Sequence, residues 1–349
     1  MRLFKRRDAG GAAVAERPEG AAVEFVGDTE ALLAEIEALS ESTRSARDPV
    51  TERRLLGLRH LAGIRLLDSA PSDPKYPAPD YARLPEVPGL PDIARSDLTP
   101  ALLRAGILRD GCLLVRGLVD RDRALRFAAQ IDRSFGERDL QDDGGTAAEG
   151  YYEEFKPDAR FGDVDSRPWI KQGGGVLAAD SPMLSFEMFE LFRGAGLSRI
   201  VSEYLGEPAL ISAHKTTLRK AEPSIGGAWH QDGKFMGEVR ALNLWLSLSR
   251  CGDLAPGLDV VPRRLEHFAV TQTDEAMLDY QVSNVKAAEA AGDRPIIRPI
   301  FEPGDALFFD ERFLHQTGSD PSMPNPRYAI ENWFFGGSGF PADYAPIAV

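Results

Sequence analysis

Apolar residues recur at helical spacing in the first part of the chain. Leu32, Leu33, Ile36 and Leu39 share a face in a segment that starts near Thr29, and Leu55, Leu58, Leu61 and Ile64 share one in a segment that starts near Pro49. Both patterns predict amphipathic helices. His60 falls among the apolar positions of the second and reads as a packing residue. Residues 69–98 are proline-rich and aperiodic, which predicts an ordered wrap or linker. A regular stretch follows: a short helix over Pro100–Ala105, a strand over Gly111–Leu118, and a helix over Arg121–Ser134 with Asp120 as its N-cap.

Beyond residue 136 the pattern becomes mostly alternating. Residues 137–150 are polar and glycine-rich, and with Tyr151-Tyr152-Glu153-Glu154-Phe155 they read as a long loop, either a lid or a merely mobile segment. Trp169, Lys171 and Gln172 either open a strand that lines a pocket or pack at the surface. Ser185–Tyr204 reads as helical, with an end at Gly206. Pro208–Lys220 reads as one strand, with Leu210, Ser212, His214, Thr216 and Leu218 on one face and Ile211, Ala213, Lys215, Thr217 and Arg219 on the other. Leu242–Leu248 alternates four leucines with Asn243, Trp245 and Ser247. This is a half-buried strand pattern, and Asn243 and Trp245 face a cavity if the leucines pack outward. A strand ending at Val260-Val261-Pro262, a helix over Asp274–Ala291, a sheet segment over Pro295–Phe301 and strands over Gly304–Phe309 and Tyr328–Phe335 complete the reading. The fold class it predicts is an all-β core with flanking helices, a double-stranded β-helix or jelly roll, behind an N-terminal helical extension. The division expected is a disordered tail over residues 1–24, an extension over 25–98 and a catalytic domain over 99–349.

Composition narrows the function classes. With 349 residues, 43% of them hydrophobic, the chain can bury a large core. Its formal net charge of −13 repels polyphosphate, so nucleic acid is not expected as a partner. The basic start, Arg2, Lys5, Arg6 and Arg7, reads as a solvated tail. Cys112 and Cys251 are far apart and read as free thiols of a reducing compartment. No stretch has the length of a membrane span, so a cytoplasmic enzyme acting on a small molecule is expected, with no membrane partner and with its oligomeric state open.

The chemistry is carried by two stretches. In Trp229-His230-Gln231-Asp232-Gly233, His230 and Asp232 are two apart, which on an extended strand puts an imidazole and a carboxylate on one face. His315 can complete the set if a later strand lies beside the first. Two histidines and one carboxylate on one face of an iron are the facial triad of non-haem Fe(II) oxygenases. Arg327 follows a turn-rich segment, and its planar fork of donors suits a dicarboxylate, for which 2-oxoglutarate is the candidate.

His230-x-Asp232, the strand over Leu242–Leu248, Gly304-Asp305-Ala306-Leu307-Phe308-Phe309, His315 and Arg327 occur in an order and spacing that resemble the phytanoyl-CoA dioxygenase-like family of Fe(II)/2-oxoglutarate dioxygenases. The resemblance covers roughly residues 102–335. It implies a cupin-like jelly roll and an iron held by His230, Asp232 and His315. It further implies that Arg327 and Thr317 hold 2-oxoglutarate, with Thr217, Lys215 or Arg219 as a further polar contact and Asn243 beside them. With O2 as co-reactant, hydroxylation of a small molecule is the default outcome, and Asp232 argues against halogenation. Ala255-Pro256-Gly257-Leu258 and Pro262-Arg263-Arg264 depart from the family pattern, which bears on the substrate pocket and leaves the metal site untouched. Two alternatives stay open: an inactive jelly-roll binding protein, and a cupin-type metal enzyme that does not use 2-oxoglutarate.

Overall fold

The structure, a computed structural model, describes residues 23–87 and 89–349. The tail expected over residues 1–24 lies, up to residue 22, outside the described residues. Two helices open the described chain, α1 (Thr29–Ser45) and α2 (Pro49–Asp68). Asp28 caps the first by accepting from Ala31 N, and Asp48 caps the second at Val50 N and Thr51 N, so each helix begins where a carboxylate meets free backbone donors. Leu32, Ile36, Leu55 and Leu58 bury together with Phe186, Leu210 and Ala348. The pair is thus seated on the later sheet and helices. Leu33, expected on the buried face, is exposed, and the buried stripe continues through Ser40 and Thr43, whose hydroxyls bond back to Ile36 O and Leu39 O.

The elements that follow are β1 (Asp92–Ala94), α3 (Pro100–Asp110), β2 (Cys112–Arg116), α4 (Arg121–Asp142), α5 (Arg167–Gln172), β3 (Gly175–Leu177), α6 (Pro182–Ala195) and α7 (Leu197–Leu205). After them come β4 (Ala209–Ser212), β5 (Thr217–Ala221), α8 (Gly233–Met236), β6 (Ala241–Ser247), β7 (Gly257–Val260), α9 (Asn284–Ala291), β8 (Ala306–Phe309), β9 (His315–Gly318), β10 (Arg327–Gly336) and β11 (Pro346–Ala348). Nine strands form one sheet along the order β1-β2-β8-β6-β10-β4-β11, with β5 pairing β10 beside β4 and β3 pairing β5. All pairs in it are antiparallel except β1 with β2. β7 and β9 form a separate two-stranded sheet.

The long strand β10 organises this arrangement. It pairs with β6 along Ala329–Phe335 on one side and with β5 and then β4 on the other. Side chains alternate across it. Leu244, Leu246, Ile330 and Phe334 belong to the main core, where Phe334 meets Phe192 of α6. The opposite face carries Arg327, Glu331 and Trp333, with Trp245 and Asn243 paired to Glu331 and Trp333 from β6 and Thr217 paired to Glu331 from β5. The small sheet lies against this second face: Arg327 donates to Gly257 O, and the Phe309 ring sits 4.8 Å from that of His315. Gly304 turns the chain into β8 at φ +96°, and a side chain there would run into Val119 O. Asp305 next to it accepts from Gly117 N, Arg116 Nη1 and Glu302 N, which ties the start of β8 to the end of β2.

Several sequence expectations need correction. Helix α3 runs five residues past Ala105 to Asp110, ended by Gly111 in the left-handed region, and α4 runs through Gly136 to Asp142, so the first part of the expected loop is helical. β1 lies within the stretch read as aperiodic and pairs in parallel with β2. Trp169, Lys171 and Gln172 lie on helix α5 rather than on a strand, with Trp169 75% exposed. The strand expected over Pro208–Lys220 is two strands separated by a turn at residues 213–215, which accepts no strand pairing. β6 is buried on both faces. Only Asn284–Ala291 of the expected Asp274–Ala291 helix is helical, because Gln272 and Asp274 adopt positive φ and Ser283 caps α9 at Lys286 N. Pro295–Phe301 contributes isolated bridges at Ile297 and Phe301 rather than a strand.

Candidate metal centre

His230 and His315 are joined by their backbones before their side chains meet. His230 N donates to His315 O at 3.0 Å, and His315 N donates to His230 O at 3.2 Å. This directly opposed antiparallel pair holds the two imidazoles 4.4 Å apart, centre to centre. Gln231 is fully buried between the ligand candidates. Its side chain donates to Arg312 O and accepts from Ala269 N, which pins the strand from behind. The extended conformation assumed for the pair ends at Asp232, which is helical in φ and ψ and starts α8. The carboxylate nevertheless reaches the histidines: His315 Nε2 and Asp232 Oδ2 are 3.7 Å apart, and one ligand atom from each of His230, Asp232 and His315 lies within 4.8 Å of the others.

The tautomers follow from the partners. His230 Nδ1 meets Ala228 O at 2.8 Å and His315 Nδ1 meets Phe313 O at 3.1 Å. A carbonyl only accepts, so both Nδ1 atoms carry the proton and both Nε2 lone pairs are free to bind a cation. Burial, helped by His230 and opposed by Asp232, brings the His315 pKa down to about 4, so at neutral pH this ring is the neutral species that a metal requires. The rings of Phe309 and Phe313 flank it.

Arg327 is 1% exposed on the same face. Its Nη1 donates to Gly257 O, its Nη2 donates to Glu331 at 3.1 Å, and its ring neighbour is Trp245 at 5.2 Å. Its buried Nε has no partner, and neither does Trp245 Nε1 or Asn243 Oδ1 on the adjacent strand. A buried polar atom without a partner costs about 1–3 kcal/mol. Three such atoms on one face beside two histidines and a carboxylate fit a site that a polar ligand completes. The donor set fits iron, and the arginine with its open Nε fits a carboxylate of 2-oxoglutarate.

The other expected contacts are placed unequally. Thr217 is buried at the start of β5, opposite Glu331. Thr317 shares the His315 face of β9 and is half-buried. Arg219 is engaged by Glu331, donating from Nη2 at 2.7 Å and Nε at 3.0 Å. Arg264, expected near the mouth, is paired with the buried Asp310. Glu331 is the residue that sequence reasoning missed. It bridges Arg219 and Arg327; burial works to raise its pKa, but the two arginines outweigh burial and hold it below the ordinary 4.5. Its signal was available, since it lies four residues after Arg327 on a strand whose alternate positions face the same way.

The family model described as phytanoyl-CoA dioxygenase matches residues 107–323, more than half of the chain. Among solved structures, AviO1 from Streptomyces viridochromogenes Tue57 is 19% identical, over 70% of this chain and 98% of its own, at a TM-score of 0.43. EctD from S. alaskensis with 2-oxoglutarate and 5-hydroxyectoine is 19% identical, over 76% and 87%, at 0.45. The 2-oxoglutarate-dependent carbocyclase SnoK from nogalamycin biosynthesis is 16% identical, over 70% and 86%, at 0.44. These are distant likenesses, and no curated protein sequence matches. The assignment rests on the family model: the chain belongs to the phytanoyl-CoA dioxygenase family and is a 2-oxoglutarate-dependent, Fe(II)-using dioxygenase.

Proposed function

We propose that His230, Asp232 and His315 hold the iron and that Arg327 anchors 2-oxoglutarate, with Thr317, Thr217 and Asn243 around it. The chain then hydroxylates a small-molecule substrate. The observation that carries this reading is the convergence of three ligand atoms within 4.8 Å beside a buried arginine whose Nε is unpartnered. In the same reading the two sheets are the halves of a double-stranded β-helix, residues 99–349 are the catalytic domain, and residues 25–98 are an extension packed against it.

When bound, iron and 2-oxoglutarate supply the oxidising chemistry: 2-oxoglutarate, O2 and a substrate C–H become succinate, CO2 and a C–OH. The chain's own work is placement. The Ala228 and Phe313 carbonyls hold both imidazoles by Nδ1, which leaves both Nε2 atoms for the metal, that of His315 3.7 Å from Asp232. Glu331 holds the Arg327 guanidinium in one orientation, so that its remaining donors point to one place. Phe309 and Phe313 keep water away from one side of His315.

Succinate formation from 2-oxoglutarate with Fe(II), ascorbate and O2 tests the reading, since slow uncoupled turnover needs no known substrate. Turnover is expected in the unsubstituted protein and is expected to vanish in His230→Ala. No turnover, combined with no 2-oxoglutarate binding by calorimetry on Mn(II)-loaded protein, would return the weight to a binding protein or a metal enzyme of another kind.

A further inference from the structure

One cation beside the proposed centre has no counter-charge in contact. Lys215 lies in the turn between β4 and β5 and is half-buried. Among the described residues no carboxylate forms an ion pair with it and no acceptor takes a hydrogen bond from it; its ammonium lies over the Phe235 ring, 5.0 Å from the ring centre. That ring is 5.9 Å from His230 and 4.8 Å from Tyr280, so the ammonium stands at the edge of the metal centre, behind a partly exposed aromatic pair. Burial lowers the Lys215 pKa, and the charges of Asp232 and Glu331 oppose that shift, which places both acids within electrostatic reach. Tyr344 is next in line. It stacks on His214, the neighbour of Lys215, at 5.3 Å, and its hydroxyl is also without a partner among the described residues.

The charge balance says what is missing. Lys215, Arg219 and Arg327 are positive and Asp232 and Glu331 negative, a surplus of one positive charge. Fe(II) adds two positive charges and 2-oxoglutarate brings two negative ones, so the surplus of one persists with both bound. A monoanion cancels it, whereas a dianionic phosphate reverses it. A desolvated ammonium gains most from a partner that arrives with the ligand.

We propose that Lys215 is the recognition point for a carboxylate on the primary substrate, whose apolar body lies against Phe235 and Tyr280. This rests on the dioxygenase reading above and names the class of its substrate. It also separates Lys215 from the cosubstrate, which Arg327 holds.

The test uses protein loaded with Mn(II) and 2-oxoglutarate and a panel of straight-chain and aryl carboxylic acids, each paired with its carboxamide. Binding is read by calorimetry. At least one acid is expected to bind on the order of tenfold more tightly than its amide. That preference is expected to disappear in Lys215→Met and to survive in Lys215→Arg, while the 2-oxoglutarate dissociation constant moves by less than about twofold. Circular dichroism on both variants checks that they fold, and Lys215→Arg carries the comparison if Lys215→Met does not. A panel in which no acid outcompetes its amide overturns the proposal. So does a Lys215→Met protein that loses 2-oxoglutarate, since the lysine then serves the cosubstrate. If the unsubstituted protein binds no 2-oxoglutarate, the dioxygenase reading itself has failed, and this inference falls with it.

Discussion

Two of the places where this molecule packs histidine treat the second ring nitrogen in opposite ways. At the junction between the N-terminal helices and the end of the chain, His60 Nδ1 donates to Pro346 O at 2.7 Å and Nε2 accepts from Asp158 N at 2.9 Å. Both nitrogens are used, and the rings of Phe155 and Phe161 close around the imidazole. At the metal centre His230 and His315 also give Nδ1–H to a backbone carbonyl, but neither Nε2 has a hydrogen-bond partner among the described residues, and that of His315 lies 3.7 Å from Asp232. Burial with every bond made is structure. Burial with the same bond left open on two rings is a site that expects a ligand.

The largest effect should come from the open side. His315→Ala is expected to lower succinate formation at least about 100-fold and to abolish Mn(II) binding by calorimetry, with little change in melting temperature of the metal-free protein. Retained metal affinity would mean that the comparison between the two histidine settings is misdrawn. Next comes Arg327→Met, expected to weaken 2-oxoglutarate binding on the order of tenfold to 100-fold by removing a charge-assisted contact, while Mn(II) affinity stays. Glu331→Gln is expected to give a smaller loss of the same kind, since it loosens the orientation of Arg327 and leaves its charge.

The closed side should respond in stability instead. His60→Ala is expected to cost about 1–3 kcal/mol in urea unfolding and to leave uncoupled turnover per folded molecule unaltered. The smallest effect is its pH dependence. Burial lowers the folded His60 pKa below its ordinary 6.5, against the Pro346 carbonyl. The unfolded chain therefore takes up the proton first as pH falls below 6.5, so stability is flat above that value and declines below it. His214, also lowered by burial, adds a slope of the same sign. Melting temperatures between pH 5 and 7 should fall less steeply in His60→Ala than in the unsubstituted protein, and an unchanged slope would remove His60 from the account.

How much of this was legible in the sequence depends on the range of the cause. His230, Asp232, His315 and Arg327 stand out because residue chemistry and short spacing are local properties, and the structure brings the first three together although Asp232 sits at the start of α8 rather than on a strand. Asp120 and Gly206 likewise mark helix ends by short-range hydrogen bonding and backbone freedom. Glu331 was legible only in part: its spacing puts it on the Arg327 face of one strand, but its bridging role depends on Arg219, which another strand brings up. The turn at residues 213–215 escaped notice because its alternation is intact; only the pairing of β4 and β5 with different ends of β10 breaks it. Trp169 misled for the converse reason, being a large apolar residue left on the surface by a six-residue helix.

The reciprocal backbone bonds between His230 and His315 also tie off everything between residues 231 and 314 as a loop closed at its base. The cost of closing a flexible loop grows only with the logarithm of its length, about 0.6 kcal/mol for each doubling. Added or deleted residues in the irregular stretch from 262 to 283 therefore change the closure cost little and leave the knot where it is. The chain can lengthen, shorten or exchange what surrounds a substrate without renegotiating where its two histidines stand.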